Sequence, residues 1–305
     1  MPHLLSPLRL AHMRLPNRIA LAPHPSGFAN TDGFVSPALA DYYIRRAQGG
    51  VGLLMLEPAW VTSPSKPHPH LGLYHDCFIP SLAALAESAQ IYGGRVFVPL
   101  YCPLDPASMS ADQLDALRDQ FMLAAWRALA ASCDGILLSA ADKGVFAELF
   151  SPLSNQRTDR HGITLEGRLR LALLVVEGIR AWLGSRIAIA FSLNADEMVG
   201  GGLTLQDARV MGQRLVNAGV NMLDITVKPA GDLPVAQFPG WRVPLAAAVK
   251  RALLNVPVMT SGALGEPDLA DSVIREGSAD MVMIGSALRD DPDWPHHARL
   301  ALAQT

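Results

Sequence analysis

DGILLSAADKGVFAELFSPLSNQRTDRHG, residues 134–162, is the stretch on which the reading of this chain turns. Ile136, Leu137 and Leu138 form a continuous apolar run, the mark of a strand buried on both faces, as parallel sheets require. The run gives way to Ser139, Asp142 and Lys143, so these polar side chains stand at the C-terminal mouth of a strand. Asn155, Arg157 and Asp159 then pin an irregular segment before the next helix begins.

The same alternation runs outward in both directions. Short apolar strands are expected at 18–24 (RIALAPH), 51–57 (VGLLMLE), 95–101 (RVFVPLY), 187–193 (IAIAFSL), 222–227, 257–260 and 279–284. Helical spacing follows at 37–48, 79–92, 110–132, 165–183, 205–218, 245–254, 268–276 and 293–302. Ser110 is placed to cap the third of these helices, and Gly49-Gly50 and Gly93-Gly94 stop the first two. Eight strand-then-helix units without a linker predict an α/β fold, a (β/α)₈ TIM barrel, as a single domain over 1–305. Function should then reside in the loops after each strand.

Composition narrows the partners. The chain has 305 residues, half of them apolar, a net charge of −3 and no basic run, so nucleic acid and anionic membranes find no counterpart. A small-molecule ligand is expected, and a homo-oligomer is left open by the sequence. Cys77, Cys102 and Cys133 are odd in number and lack CxxC spacing, which disfavours a disulfide framework or a zinc site and suits a reducing cytoplasm. The opening MPHLLSPLRLAHMRLPNR reads as no signal peptide, and no apolar run is long enough to span a membrane.

Five stretches carry a family resemblance: LLSPLRLAHMRLPNRIALAPH (4–24), YYIRRAQGGVGLLMLE (42–57), SPLSNQRTDRHGITLEGR (151–168), LTLQDARVMGQRLVNAGVNMLDIT (203–226) and GSADMVMIGSALRDDPDWP (277–295). Together they resemble the NADH:flavin oxidoreductases, the old yellow enzyme family, nearest its dienoyl-CoA reductase and amine demethylase branch. The resemblance implies FMN over the strand ends, with hydride passing through the flavin. It also exposes departures. The family's substrate-holding pair falls on Ser139 and Asp142, and its proton-donating Tyr on Gly144. A Gly beneath the flavin ring falls on Pro58, a ring-binding Gln on Pro99, a strand-five Arg on Ser192 and a phosphate-gripping Arg on Ser286.

The candidate groups follow from these positions. Asp142, His24, Lys228 and Tyr101 have the chemistry for proton transfer. Asp142 with Lys143 is more commonly a solvated loop pair and Lys228 more commonly a surface charge, Tyr101 reads equally as core-edge packing, and His24 also reads as an inherited packing or ligand residue. Pro23, Ser139, Lys143 and Ser192 are expected to line the ligand site. Gly262-Ala263 and Gly285-Ser286 are expected to form a phosphate cup or simply tight turns. The His-rich segment 65–75 lacks metal-ligand spacing and reads as a loop over the mouth, with no metal.

The lost flavin contacts lead to one expectation above the others: a flavin-independent enzyme, an isomerase, lyase or cyclase working by proton transfer on a small conjugated or carbonyl-bearing molecule, phosphorylated or CoA-linked. No cofactor is expected on that reading. The alternatives are an FMN-dependent NAD(P)H oxidoreductase, either ene-reductase or demethylase, and a non-catalytic subunit of a larger complex.

Overall fold

A computed structural model describes residues 2–304 apart from 67, 142, 229–237 and 254–255. Among the described residues, eight parallel strands close into a barrel: β1 (Ile19–Leu21), β2 (Leu53–Met55), β3 (Arg95–Tyr101), β4 (Gly135–Ala140), β5 (Ala188–Asn194), β6 (Met222–Thr226), β7 (Val258–Thr260) and β8 (Met281–Ile284). Neighbours pair in sequence order, β8 pairs with β1, and β2 pairs with β3. The chain is the (β/α)₈ TIM barrel that the alternation predicts.

Helices cover the outside: α1 (Pro37–Gln48), α2 (Ile79–Gln90), α3 (Ala111–Ala130), α4 (Leu165–Leu183), α5 (Leu205–Ala218), α6 (Val243–Ala252), α7 (Pro267–Arg275) and α8 (Trp294–Leu302). Their starts are chemically marked. Ser110 and Gln113 form a reciprocal capping box on α3, and Thr204 with Asp207 does the same on α5. Helix α6 opens two residues before the expected 245, because Pro244 suits a first turn whose amides need no partner.

Side-chain alternation along the strands divides the apolar core in two. Outward residues such as Leu54, Val96, Ile136, Phe191 and Leu223 meet the helices. Inward residues fill the barrel: Ala20, Leu53, Met55, Phe97, Leu137, Ala190, Met222, Met259, Met281 and Met283. An antiparallel hairpin, Leu8–Leu10 with Met13–Leu15, adds Leu10, Met13 and Leu15 to this inner cluster and closes the barrel bottom. A small residue is obligatory at Gly135, where a Cβ would lie 2.3 Å from the Phe97 ring.

Several strands are shorter than their apolar runs. β1 stops at Leu21, before the expected end at 24, since Pro23 has no amide to pair. The loop after β2 forms two short parallel strands, Ala59–Trp60 and Leu71–Gly72, which extend the sheet beside β3 and pair Trp60 with Tyr101. The loop after β4 holds a short helix, Val145–Phe150. Beyond it, the Asn155 amide donates to the carbonyls of Leu149 and His161, and Arg157 grips Asp159 and the Met109 carbonyl. These residues form the loop scaffold expected from the sequence.

Candidate functional site

Period-two alternation dictates what lies above the barrel floor. Two residues beyond the packed layer, the inward positions become Ala22, Glu57, Pro99, Ser139, Ser192 and Asp224. They line a cavity of about 940 Å³ at the C-terminal mouth, within the roughly 300–1,000 Å³ of cofactor and small-molecule sites. Ser139, Ser192 and Asp224 sit at directly paired positions of β4, β5 and β6, so they form one polar row across three strands.

Asp224 is 2% exposed, and its Oδ2 accepts a hydrogen bond from the Ser192 hydroxyl. Burial raises this carboxyl to about 6, against the pull of the Ser192 hydrogen bond and the Arg242 charge. Its Oδ1 is buried without a partner among the described residues. Arg242 reaches in from the turn ahead of α6, donates to the Ser261 hydroxyl at 2.7 Å, and lies 4.8 Å from the centre of the Trp241 ring. Burial lowers its pKa, Asp224 opposes that shift, and its Nε has no partner among the described residues.

Gly262 makes room for this arginine. Its φ is +123°, and a Cβ there would stand 3.3 Å from the Arg242 Cγ. Its carbonyl accepts from the Gly240 amide at 2.7 Å, which docks the arginine's loop on the end of β7. Ala263 follows at φ 55°, a conformation costly for a residue with a Cβ, and both residues line the cavity. Gly285 and Ser286 line it from the end of β8. That segment is anchored behind by the buried Arg46, which donates to the carbonyls of Leu288 and Arg289.

The opposite wall is aromatic. Trp60 lies 5.2 Å from His70, 5.4 Å from His68 and 5.9 Å from Tyr101, ring centre to ring centre. Gly144 fixes the place of Tyr101: at φ +100°, a Cβ on it would stand 2.8 Å from Tyr101 Cε2. The phenol ring therefore occupies the space that a side chain at 144 would need.

Most of the expected site residues meet here. Tyr101, Pro23, Ser139, Lys143, Ser192, Gly262, Ala263, Gly285 and Ser286 all line the cavity. His24 is not among its lining residues: Nδ1 is 3.0 Å from the Ala22 carbonyl and Nε2 is 2.8 Å from the Tyr42 hydroxyl, so the ring clamps β1 to α1. Lys228 is exposed and also outside the lining; its amide donates to Asn194 Oδ1. Asp142 lies outside the described residues. Glu57 is buried as a cation's partner would be, yet it accepts from the Ser26 amide and hydroxyl. Asp224 and Arg242 did not emerge from the sequence reading. An Asp inside the apolar strand MLDIT is the signal that marked the first.

The comparisons with known proteins agree with this geometry. Residues 3–107 and 100–304 match the NADH:flavin oxidoreductase / NADH oxidase family. The chain belongs to that family. It is 33% identical over 331 residues to the NADH oxidase of Thermoanaerobacter brockii, covering 98% of this chain and 51% of the relative. An NADPH dehydrogenase of Halalkalibacterium halodurans is 27% identical over 315 residues, covering 95% of this chain and 92% of the relative. In fold it matches the 2-naphthoyl-CoA reductase complex with 2-naphthoyl-CoA at a TM-score of 0.92, with 21% identity over 98% of this chain and 52% of the other. The chain thus spans about half the length of the first two curated relatives it matches.

Family membership overturns three expectations drawn from the substituted positions: flavin independence, non-redox isomerase, lyase or cyclase chemistry, and the absence of a cofactor. The physical reason lies in the cavity. Pro58 and Pro99 stand in its wall without closing it, Ser192 and Ser286 leave space where larger side chains were expected, and Arg242 supplies a cation. The fit to FMN rests on the volume, the positive-φ turn at Gly262-Ala263, and the unpartnered Asp224 and Arg242 atoms. Among the described residues, no helix is long and apolar enough to cross a membrane.

Proposed function

We propose that this barrel, as one domain over 1–305, is the FMN-holding part of an NAD(P)H-dependent oxidoreductase acting on a small conjugated or carbonyl-bearing molecule, as an ene-reductase or demethylase. The observation that carries the reading is the cavity of about 940 Å³ whose wall combines a buried carboxyl and a half-buried arginine with an aromatic side. When bound, FMN supplies reversible hydride transfer.

The chain's own groups divide the remaining work. When FMN is bound, the backbone at Gly262-Ala263 and Gly285-Ser286, with the Ser286 hydroxyl, would receive its phosphate, while the Ser261 hydroxyl holds Arg242. Ala22 and Pro23 form the wall beneath the ring. Ser139 and Lys143 hold the substrate's carbonyl oxygen, and a phenol proton from Tyr101 completes the transfer. Trp60, His68 and His70 select a flat ligand and exclude water from one side. His24 acts as a positioning residue through Tyr42. A phosphorylated or CoA-linked substrate is included in the proposal, as is a cytoplasmic setting, which the three free cysteines favour.

The test is an absorbance spectrum of the purified protein followed by FMN titration and anaerobic addition of NADPH or NADH. A flavin spectrum that bleaches with the nucleotide supports the proposal. A colourless protein that ignores added FMN overturns it.

A further inference from the structure

Two buried polar atoms in the cavity wall lack a partner among the described residues: Asp224 Oδ1 and Arg242 Nε. Buried polar atoms are ordinarily satisfied, because a missing hydrogen bond forfeits the full cost of desolvation. Each belongs to a charged group that is held through another of its atoms: Asp224 Oδ2 accepts from Ser192, and Arg242 Nη1 donates to Ser261. The two groups face one space and sense each other's charge. An acceptor and a donor that line one cavity match a ligand edge that carries an N–H next to a carbonyl. A phosphate would satisfy the arginine but would be repelled by the carboxylate.

We propose that Asp224 and Arg242 recognise the imide edge of the flavin ring, Asp224 accepting its N–H and Arg242 donating to the adjacent carbonyl. The inference rests on the functional reading above. In this chain the cation beside the ring therefore comes from the turn ahead of α6, and strand β5 contributes only the Ser192 hydroxyl. A cation in that place also favours the electron-rich, reduced ring. Arg242 thus raises the reduction potential of the bound cofactor.

The experiment measures binding of FMN and of lumiflavin, which lacks the ribityl phosphate, to wild type, Arg242→Met, Arg242→Lys and Asp224→Asn by fluorescence quenching. The reduction potential of each FMN complex is measured alongside. Arg242→Met should weaken both ligands about tenfold to a hundredfold and lower the potential, with Arg242→Lys recovering part of each. Asp224→Asn should weaken both ligands as well. Loss of FMN binding with lumiflavin unaffected would place Arg242 on the phosphate and overturn the assignment. Unchanged affinities and potentials in the variants would overturn it while leaving the functional reading intact. A wild type that binds neither ligand would remove both. Circular dichroism separates misfolding from lost binding, and if Arg242→Met fails to fold, Arg242→Lys and Asp224→Asn carry the test.

Discussion

The Ser192 hydroxyl donates to the Asp224 carboxylate from the directly paired position on the neighbouring strand. This contact does not fully offset burial, which holds the carboxyl at about 6 instead of 3.8. For an acid with a raised folded pKa, the ionised form is the disfavoured one. The cost is absent below about pH 4, grows between pH 4 and 6, and is fully present above 6. Two pKa units correspond to about 3 kcal/mol. In the protein without FMN, Asp224→Asn should flatten the fall in urea stability across this window and be no less stable than wild type at pH 8.

The acid limb should have a different origin. The Arg157 hydrogen bond draws the Asp159 carboxyl down to about 2, so this pair stabilises the fold above about pH 4 and is lost as pH falls towards 2. The carboxylate is largely open to solvent, which screens the effect. Asp159→Asn should reduce the slope of stability between pH 4 and 2 and leave the slope between 4 and 6 unchanged, as read by thermal melts.

Tyr101→Phe removes one hydroxyl from the aromatic wall. On the proposed role, turnover of an activated alkene with NADPH should fall by about 10²–10⁴ while FMN affinity stays within a factor of two or so. An unchanged turnover would assign the ring to shape alone.

Gly144→Ala tests the space around that ring. The new Cβ meets Tyr101 Cε2 at 2.8 Å and the Cys102 carbonyl at 2.9 Å, on a backbone at φ +100°. The expected cost is on the order of 1–3 kcal/mol, measured by urea unfolding, with turnover falling further as the phenol is displaced.

How much of this was legible in the sequence varies with the range of the interaction. The eight apolar runs and their caps are local, and Ser110 with Gln113 illustrates how a four-residue pattern sets a helix start. Family segments also located the wall, from Ser139 to Ser286. Arg242 escaped because its partner Ser261 is 19 positions away and no periodicity links a turn to the next strand's end. His24 follows the first strand, as the sequence implies, and its ring turns to Tyr42 on α1, a packing contact that chain order alone does not reveal. Pro58 and Pro99, taken as substituted contacts, point away from a flavin, yet both stand in the wall of a cavity that keeps its volume, and no local pattern reveals that volume.

Six methionines, Met13, Met55, Met222, Met259, Met281 and Met283, belong to the inner cluster, and Met283 also lines that cavity. Unbranched thioethers rotate and polarise easily, so this floor behaves as a cushion and not as a mould. It lets the mouth accept exchanged side chains without relaying the strain to the strands below. The same softness is a liability wherever oxygen is activated overhead: each sulfur converted to a sulfoxide would set a rigid dipole into the one layer that depends on give.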